Sequence, residues 1–124
     1  MLVSISRACF ELLRFEIYLC RDDFRGLYGH VKDCPVEKYY NPPADPQPIV
    51  RSVNLACAFY FKKVLCLQRA AVTTCLLRKA GIAAQLVIGV QTLPYGAHAW
   101  VEVDGNVVND KSYTPQMYSP LSRC

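Results

Sequence analysis

The sequence predicts an α+β fold in which N-terminal helices pack on a small antiparallel sheet. Apolar residues recur at three- and four-residue intervals in residues 5–22 and again in 49–61, the helical period. Residues 82–90 are rich in β-branched and aliphatic side chains, and further on Asp104-Gly105 separates two short apolar runs, a strong hairpin signal. Helices first and strands second is the order of an α+β domain.

Residues 5–22 carry Ala8, Leu12, Phe15 and Leu19 on one face with Arg7, Glu11, Arg14 and Arg21 between them, an amphipathic helix. Gly26, Gly29 and Pro35 then predict a short irregular segment that holds His30 and Cys34. These two could share a metal, but no further ligand lies nearby in sequence and structural zinc takes four, so no metal is expected. Residues 41–48, N-P-P-A-D-P-Q-P, hold four of the eight prolines and read as a stiff linker. The chain is expected to be a single domain, with 1–48 an N-terminal helical part and linker and 49–124 the core.

Residues 49–61 form the next predicted helix, and Lys62 and Lys63 interrupt it. A further apolar segment, 66–81, closes with Lys79 in its last turn and Gly81 beyond, which places Cys66 at a helix N-terminus. Residues 82–90 and 97–103 are predicted strands joined by a turn over 92–96, and 107–110 returns antiparallel after Asp104-Gly105. Pro115 and Pro120 make the tail beyond Tyr113 look irregular.

With 52% hydrophobic and 19% charged residues in 124, the composition is globular rather than disordered. The net charge of +4 comes from 14 Lys and Arg residues that are scattered rather than massed, so no nucleic-acid role is indicated. Seven cysteines are an odd count with no C-x-x-C pair, against a disulfide scaffold or a four-cysteine zinc site. Arg7, Glu11, Arg14 and Glu16 break up the apolar N-terminus, which excludes a signal-peptide core there, and no apolar run reaches the length of a membrane span. The expectation is a cytoplasmic chain with reduced thiols.

Cys66 is the candidate nucleophile, because unpaired N–H groups at a helix start favour a thiolate. The plainer reading is a buried, inert thiol. Cys57 and Cys75 lie nine residues to either side, about two and a half helical turns, and read as core. His98 is one of only two histidines. If Asp104-Gly105-Asn106 is a three-residue loop, Trp100 lies opposite Asp110 and His98 shares a face with Asp110 as its diagonal neighbour. A two-residue loop sends His98 and Asp110 to opposite faces unless a bulge restores them. Given a shared face, Asp110 orients the His98 ring, whose other nitrogen faces Cys66, a constellation for acyl transfer. Trp100, on the face of His98, either walls the site or belongs to the core.

Taken together, C-L-Q-R-A-A from Cys66, R-K-A-G-I at the helix end, L-V-I-G-V from Leu86, and A-H-A-W-V-E-V-D-G followed by N-D at Asn109-Asp110 resemble the lasso-peptide leader peptidases. These are small bacterial cysteine enzymes of the transglutaminase-like, papain-related class, and the resemblance covers roughly residues 50–110. It implies a papain/transglutaminase-like core and a cysteine peptidase with Cys66 as nucleophile, His98 as base and acid and Asp110 as orienting carboxylate. No cofactor is implied. The implied substrate is a ribosomally made precursor peptide of leader and core, delivered by a small leader-recognition protein and passed on to an ATP-dependent lasso cyclase. The backbone N–H of Cys66 is the natural oxyanion donor, whereas Gln68, two positions along the helix, points away. A transglutaminase-like acyltransferase would use the same three residues, whereas a non-catalytic peptide-binding module would not need all three.

Overall fold

Helix α4 (Cys66–Lys79) is the centre of the fold, because from Ala70 to Arg78 every one of its residues is buried. A helix covered on all sides needs neighbours on all sides. Helices α1 (Ile5–Cys20), α2 (Phe24–Asp33) and α3 (Gln47–Phe59) supply some of them and strands β1 (Ala84–Thr92) and β2 (Tyr95–Val103) the others. Strand β3 (Asn106–Val107), a short helix α5 (Thr114–Met117) and strand β4 (Ser119–Arg123) follow. The computed structural model describes residues 5–38, 45–92, 95–112 and 114–124. Residues 41–44 of the proline-rich stretch and 93–94 of the turn expected over 92–96 lie outside these.

The sheet runs β3-β2-β1-β4 with antiparallel neighbours throughout, so the predicted α+β arrangement of helices on a small antiparallel sheet is the one observed. Leu12 and Phe15 of α1, Leu27 of α2, Val53 of α3, Leu76 and Leu77 of α4 and Leu86 of β1 belong to one buried cluster. Burying each such side chain stabilises the fold by about 1.5–3 kcal/mol. None of the helices among the described residues is long and apolar enough to cross a membrane.

Glycine ends α4 as its sequence foretells. Gly81 has φ of +90°, and the Gly81 and Ile82 N–H groups bond Arg78 and Leu77 carbonyls in a Schellman closure. The same device ends α1, where Asp22 takes φ of +50° and the Asp22 and Asp23 N–H groups return to Leu19 and Tyr18.

Three expectations need correction. The segment 26–35 is not irregular: Asp23 caps α2 by accepting from the Gly26 N–H at 2.8 Å, and Leu27 and Val31 face the core, so the glycines are tolerated inside a helix. The proline stretch does not stay outside helix, since Pro48 occupies the first turn of α3, where a missing N–H costs nothing. The tail is not irregular either. Residues 119–123 pair with β1 as an edge strand that admits Pro120, with a register shift between Ile88 and Gly89.

Candidate active site

Strand β2 carries the sequence H-A-W-V-E, and alternation along it separates two roles. Ala99 and Val101 enter the helix-packed core, while His98, Trp100 and Glu102 occupy the other face. Trp100 is fully buried there; its Nε1–H donates to Glu102 at 2.9 Å, and Glu102 is held in turn by Arg123 of β4 at 3.5 Å. The space over β1 is made by Gly89, the register partner of His98: a Cβ there would lie 2.6 Å from the Trp100 ring. Tyr118 lies beside both rings, 5.3 Å from His98 and 6.4 Å from Trp100 between centroids. Trp100 is therefore both a wall beside the histidine and part of the buried interior.

The loop between β2 and β3 has two residues, not three. Asp104 and Gly105 both take positive φ, +52° and +80°, the conformation of a type I′ turn, and Val103 pairs with Asn106 and Glu102 with Val107. In that register Asp110 would stand opposite Ala99, on the face away from His98. The strand ends before it gets there. Val108 N–H still reaches the Val101 carbonyl at 3.0 Å, but the Val101 N–H is taken by the side-chain Oδ1 of Asn109 at 2.9 Å. A carboxamide thus replaces the next rung of the ladder, the main chain turns out of the sheet, and Asp110 Oδ2 meets His98 Nε2 in a hydrogen bond.

Burial opposes the charge on Asp110, and the His98 hydrogen bond, the Lys111 N–H at 2.8 Å, and the pull of His98 in its protonated form and of the Lys111 ammonium outweigh it, so its pKa is lowered. An ionised carboxylate only accepts, so His98 Nε2 carries the hydrogen and Nδ1 is left as the basic nitrogen. Both side chains are about a quarter exposed.

Cys66 is the first residue of α4 and is exposed, following an extended Leu65 that offers no side-chain cap. The N–H groups of that first turn are thus not consumed by a capping side chain. Helix α4 leads through residues 80–83 into β1 and packs on it, so the two run in opposite senses. The structure brings His98 and Asp110 together. It does not join Cys66 to them: among the described residues no hydrogen bond links the sulfur to His98.

Gln68 is fully buried and donates to the Leu12 carbonyl at 2.8 Å and to Glu16, so it serves the α1 interface. Lys62 is committed to Glu16 at 2.8 Å. Cys57 is half-buried against the core and Cys75 fully buried within it. Sequence reasoning missed Tyr118, Glu102, Gly89 and the bond made by Asn109. The period-2 pattern of β2 was a signal for Glu102, whereas nothing in the tail announced Tyr118.

A family model described as the Transglutaminase-like superfamily matches residues 11–123. The match starts inside α1 and ends in β4, beyond the stretch that carries the motifs. The microcin J25-processing protein McjB of Escherichia coli is 41% identical over 71 residues, which are 56% of this chain and 33% of McjB. The chain thus spans about a third of the length of that relative. No solved structure matches it. A family model covering nearly the whole chain, over an α+β fold that sets a cysteine at a helix N-terminus and pairs a histidine on the sheet with an aspartate just beyond it, places the chain in the transglutaminase-like superfamily.

Proposed function

We propose that this chain is a cysteine peptidase that removes the leader from a ribosomally made lasso precursor peptide. The observation that carries the reading is the His98–Asp110 hydrogen bond, made through a break in the β2–β3 ladder that a structural strand would not need. The similarity to a protein named for processing microcin J25 supplies the substrate class.

In the proposed reaction His98 Nδ1 takes the Cys66 proton, and the thiolate attacks the carbonyl at the junction of leader and core. This step requires the Cys66 sulfur to come within reach of His98 Nδ1 when substrate is bound. The Cys66 N–H at the α4 start donates to the oxyanion. His98 then protonates the departing amine of the core, Asp110 stabilises the imidazolium, and water releases the leader from the thioester. The freed amine is the group that a separate ATP-dependent lasso cyclase consumes. A small leader-recognition protein delivers the precursor. The setting is the bacterial cytoplasm.

The family also supports a second reading, in which an amine rather than water resolves the thioester. Incubating enzyme and precursor with an added primary amine separates the two. The peptidase reading predicts a leader with a free C-terminal carboxylate as the product at every amine concentration. A leader amide replacing it would establish the acyltransferase.

A further inference from the structure

Cys34 at the C-terminal cap of α2 and Cys75 in the middle of α4 hold their sulfurs 2.9 Å apart. Non-bonded sulfurs rest farther apart than this, and only about 0.9 Å separates the pair from the S–S bond length of about 2.05 Å. His30, one turn before Cys34, brings a ring nitrogen within 4.8 Å of both. Three such ligands raise the question of a metal. Two thiolates on one tetrahedral zinc, each at about 2.3 Å from it, stand about 3.7 Å apart, which the 2.9 Å approach does not match. The positive charges of Arg78 and Lys79, felt at Cys34, oppose a cation further.

We propose that Cys34 and Cys75 form a redox-active dithiol, which a small acidic disulfide of the glutathione disulfide class oxidises to an intramolecular disulfide tying the end of α2 to α4. Access supports the order of events. Cys34 is partly exposed and lines a cleft of about 520 Å³ together with Arg14, Arg25, His30, Asp33 and Lys79; Arg14 and Lys79 pair with Glu11, and the three cations still outnumber the two carboxylates, a balance suited to a carboxylate-bearing reagent. Cys75 is fully buried. The hydrogen bond from Cys75 holds the Cys34 thiol below its ordinary range, against burial and with help from Arg78 and Lys79, while the same bond and burial push Cys75 up. Cys34 is thus the attacking sulfur and Cys75 the resolving one.

The exchange has two steps. The Cys34 thiolate attacks one sulfur of the reagent, breaking its S–S bond and releasing one thiolate, which takes up a proton. Cys75 then loses its proton and attacks the Cys34 sulfur of the mixed disulfide, forming the internal bond and expelling the second thiolate. Two protein thiols are oxidised by two electrons, and one reagent disulfide is reduced to two thiols. The internal bond pins α2 to the helix that begins with Cys66, and the site stands apart from the peptidase reading.

The reduced full chain, equilibrated in glutathione buffers of rising disulfide share, would be quenched in acid, unfolded, alkylated and mapped by peptide mass. The Cys34 and Cys75 peptides are expected to lose their label together as a linked pair appears, and to regain it with dithiothreitol. In Cys75→Ala the reaction should stop with glutathione on Cys34, and in Cys34→Ser, altered at a partly exposed position, Cys75 should keep its label. The proposal is overturned if Cys34 and Cys75 stay labelled in buffers that modify the exposed Cys20 and Cys66, or if Cys34 links to another cysteine. A metal ion that stays with the reduced chain in native mass spectrometry and protects both thiols would overturn it as well.

Discussion

Asp110 hydrogen-bonds His98 from a position that the β2–β3 register would assign to the opposite face of the sheet. The Asn109 side chain makes this possible, by taking the Val101 N–H and freeing the main chain to leave the ladder one residue early.

Asp110→Asn tests what that contact does. An amide can still accept from the Lys111 N–H, so the turn should survive, but it neither enforces the Nε2–H tautomer nor stabilises an imidazolium. Precursor cleavage should fall by about 10²–10⁴-fold, with the circular dichroism spectrum unchanged. Activity within a few-fold of wild type would make the contact structural.

Asn109→Ala should leave the buried Val101 N–H without its acceptor and cost about 1–3 kcal/mol in urea unfolding. Asp110 should also lose its placement, so kcat should fall with little change in KM. Asn109→Asp keeps an acceptor oxygen and should recover both stability and turnover in part. Equal losses in the two variants would contradict the account.

The helix start at Cys66 and the strand holding His98 were legible because each is written in local signals: Lys79 and Gly81 at one helix end, an apolar run in the other element. The route from His98 to Asp110 was not. Counting residues through Asp104-Gly105 allowed two registers, and the type I′ turn took the one that separates the pair. What reunites them is a side chain substituting for a backbone carbonyl, which has no period to detect. Helix α2 was hidden because Gly26 and Gly29 resemble breakers while Asp23 supplies the cap. Strand β4 was hidden because Pro120 is tolerated only where an edge leaves an N–H unused. The pairing of Cys34 with Cys75 joins residues 41 apart and follows only from the packing of α2 on α4.

Gly89→Ala probes the wall behind the histidine. The added methyl would lie 2.6 and 2.8 Å from Trp100 ring atoms and 3.1 Å from the Ser119 carbonyl, so the indole has to move. A destabilisation of about 1–3 kcal/mol is expected. Trp100 is the chain's single tryptophan, so its fluorescence reports the displacement directly. An unshifted spectrum with unchanged stability would refute this packing.

Glu16 should govern part of the acid stability. It accepts from Lys62 at 2.8 Å, from Tyr60 at 2.9 Å and from Gln68. The Lys62 hydrogen bond lowers its pKa first, burial opposes, and Tyr60 and the Lys62 charge add to the lowering. A depressed carboxyl pKa contributes stability that is present above the unfolded value, here 4.5, and is lost as pH falls through the folded value. Unfolding stability measured from pH 7 down to pH 3 should therefore drop less steeply in Glu16→Gln than in wild type, from a starting value about 1–3 kcal/mol lower. Parallel pH profiles would remove Glu16 from this role.

The most direct measurement incubates the full chain with a lasso precursor and its leader-binding partner, and follows product masses for wild type and Cys66→Ala. A single cut between leader and core by the wild type, absent in the variant, is the predicted result. Cleavage that survives in Cys66→Ala would contradict the assignment of the nucleophile. No cleavage by either protein, with the partner shown to bind the leader, would contradict the peptidase reading itself.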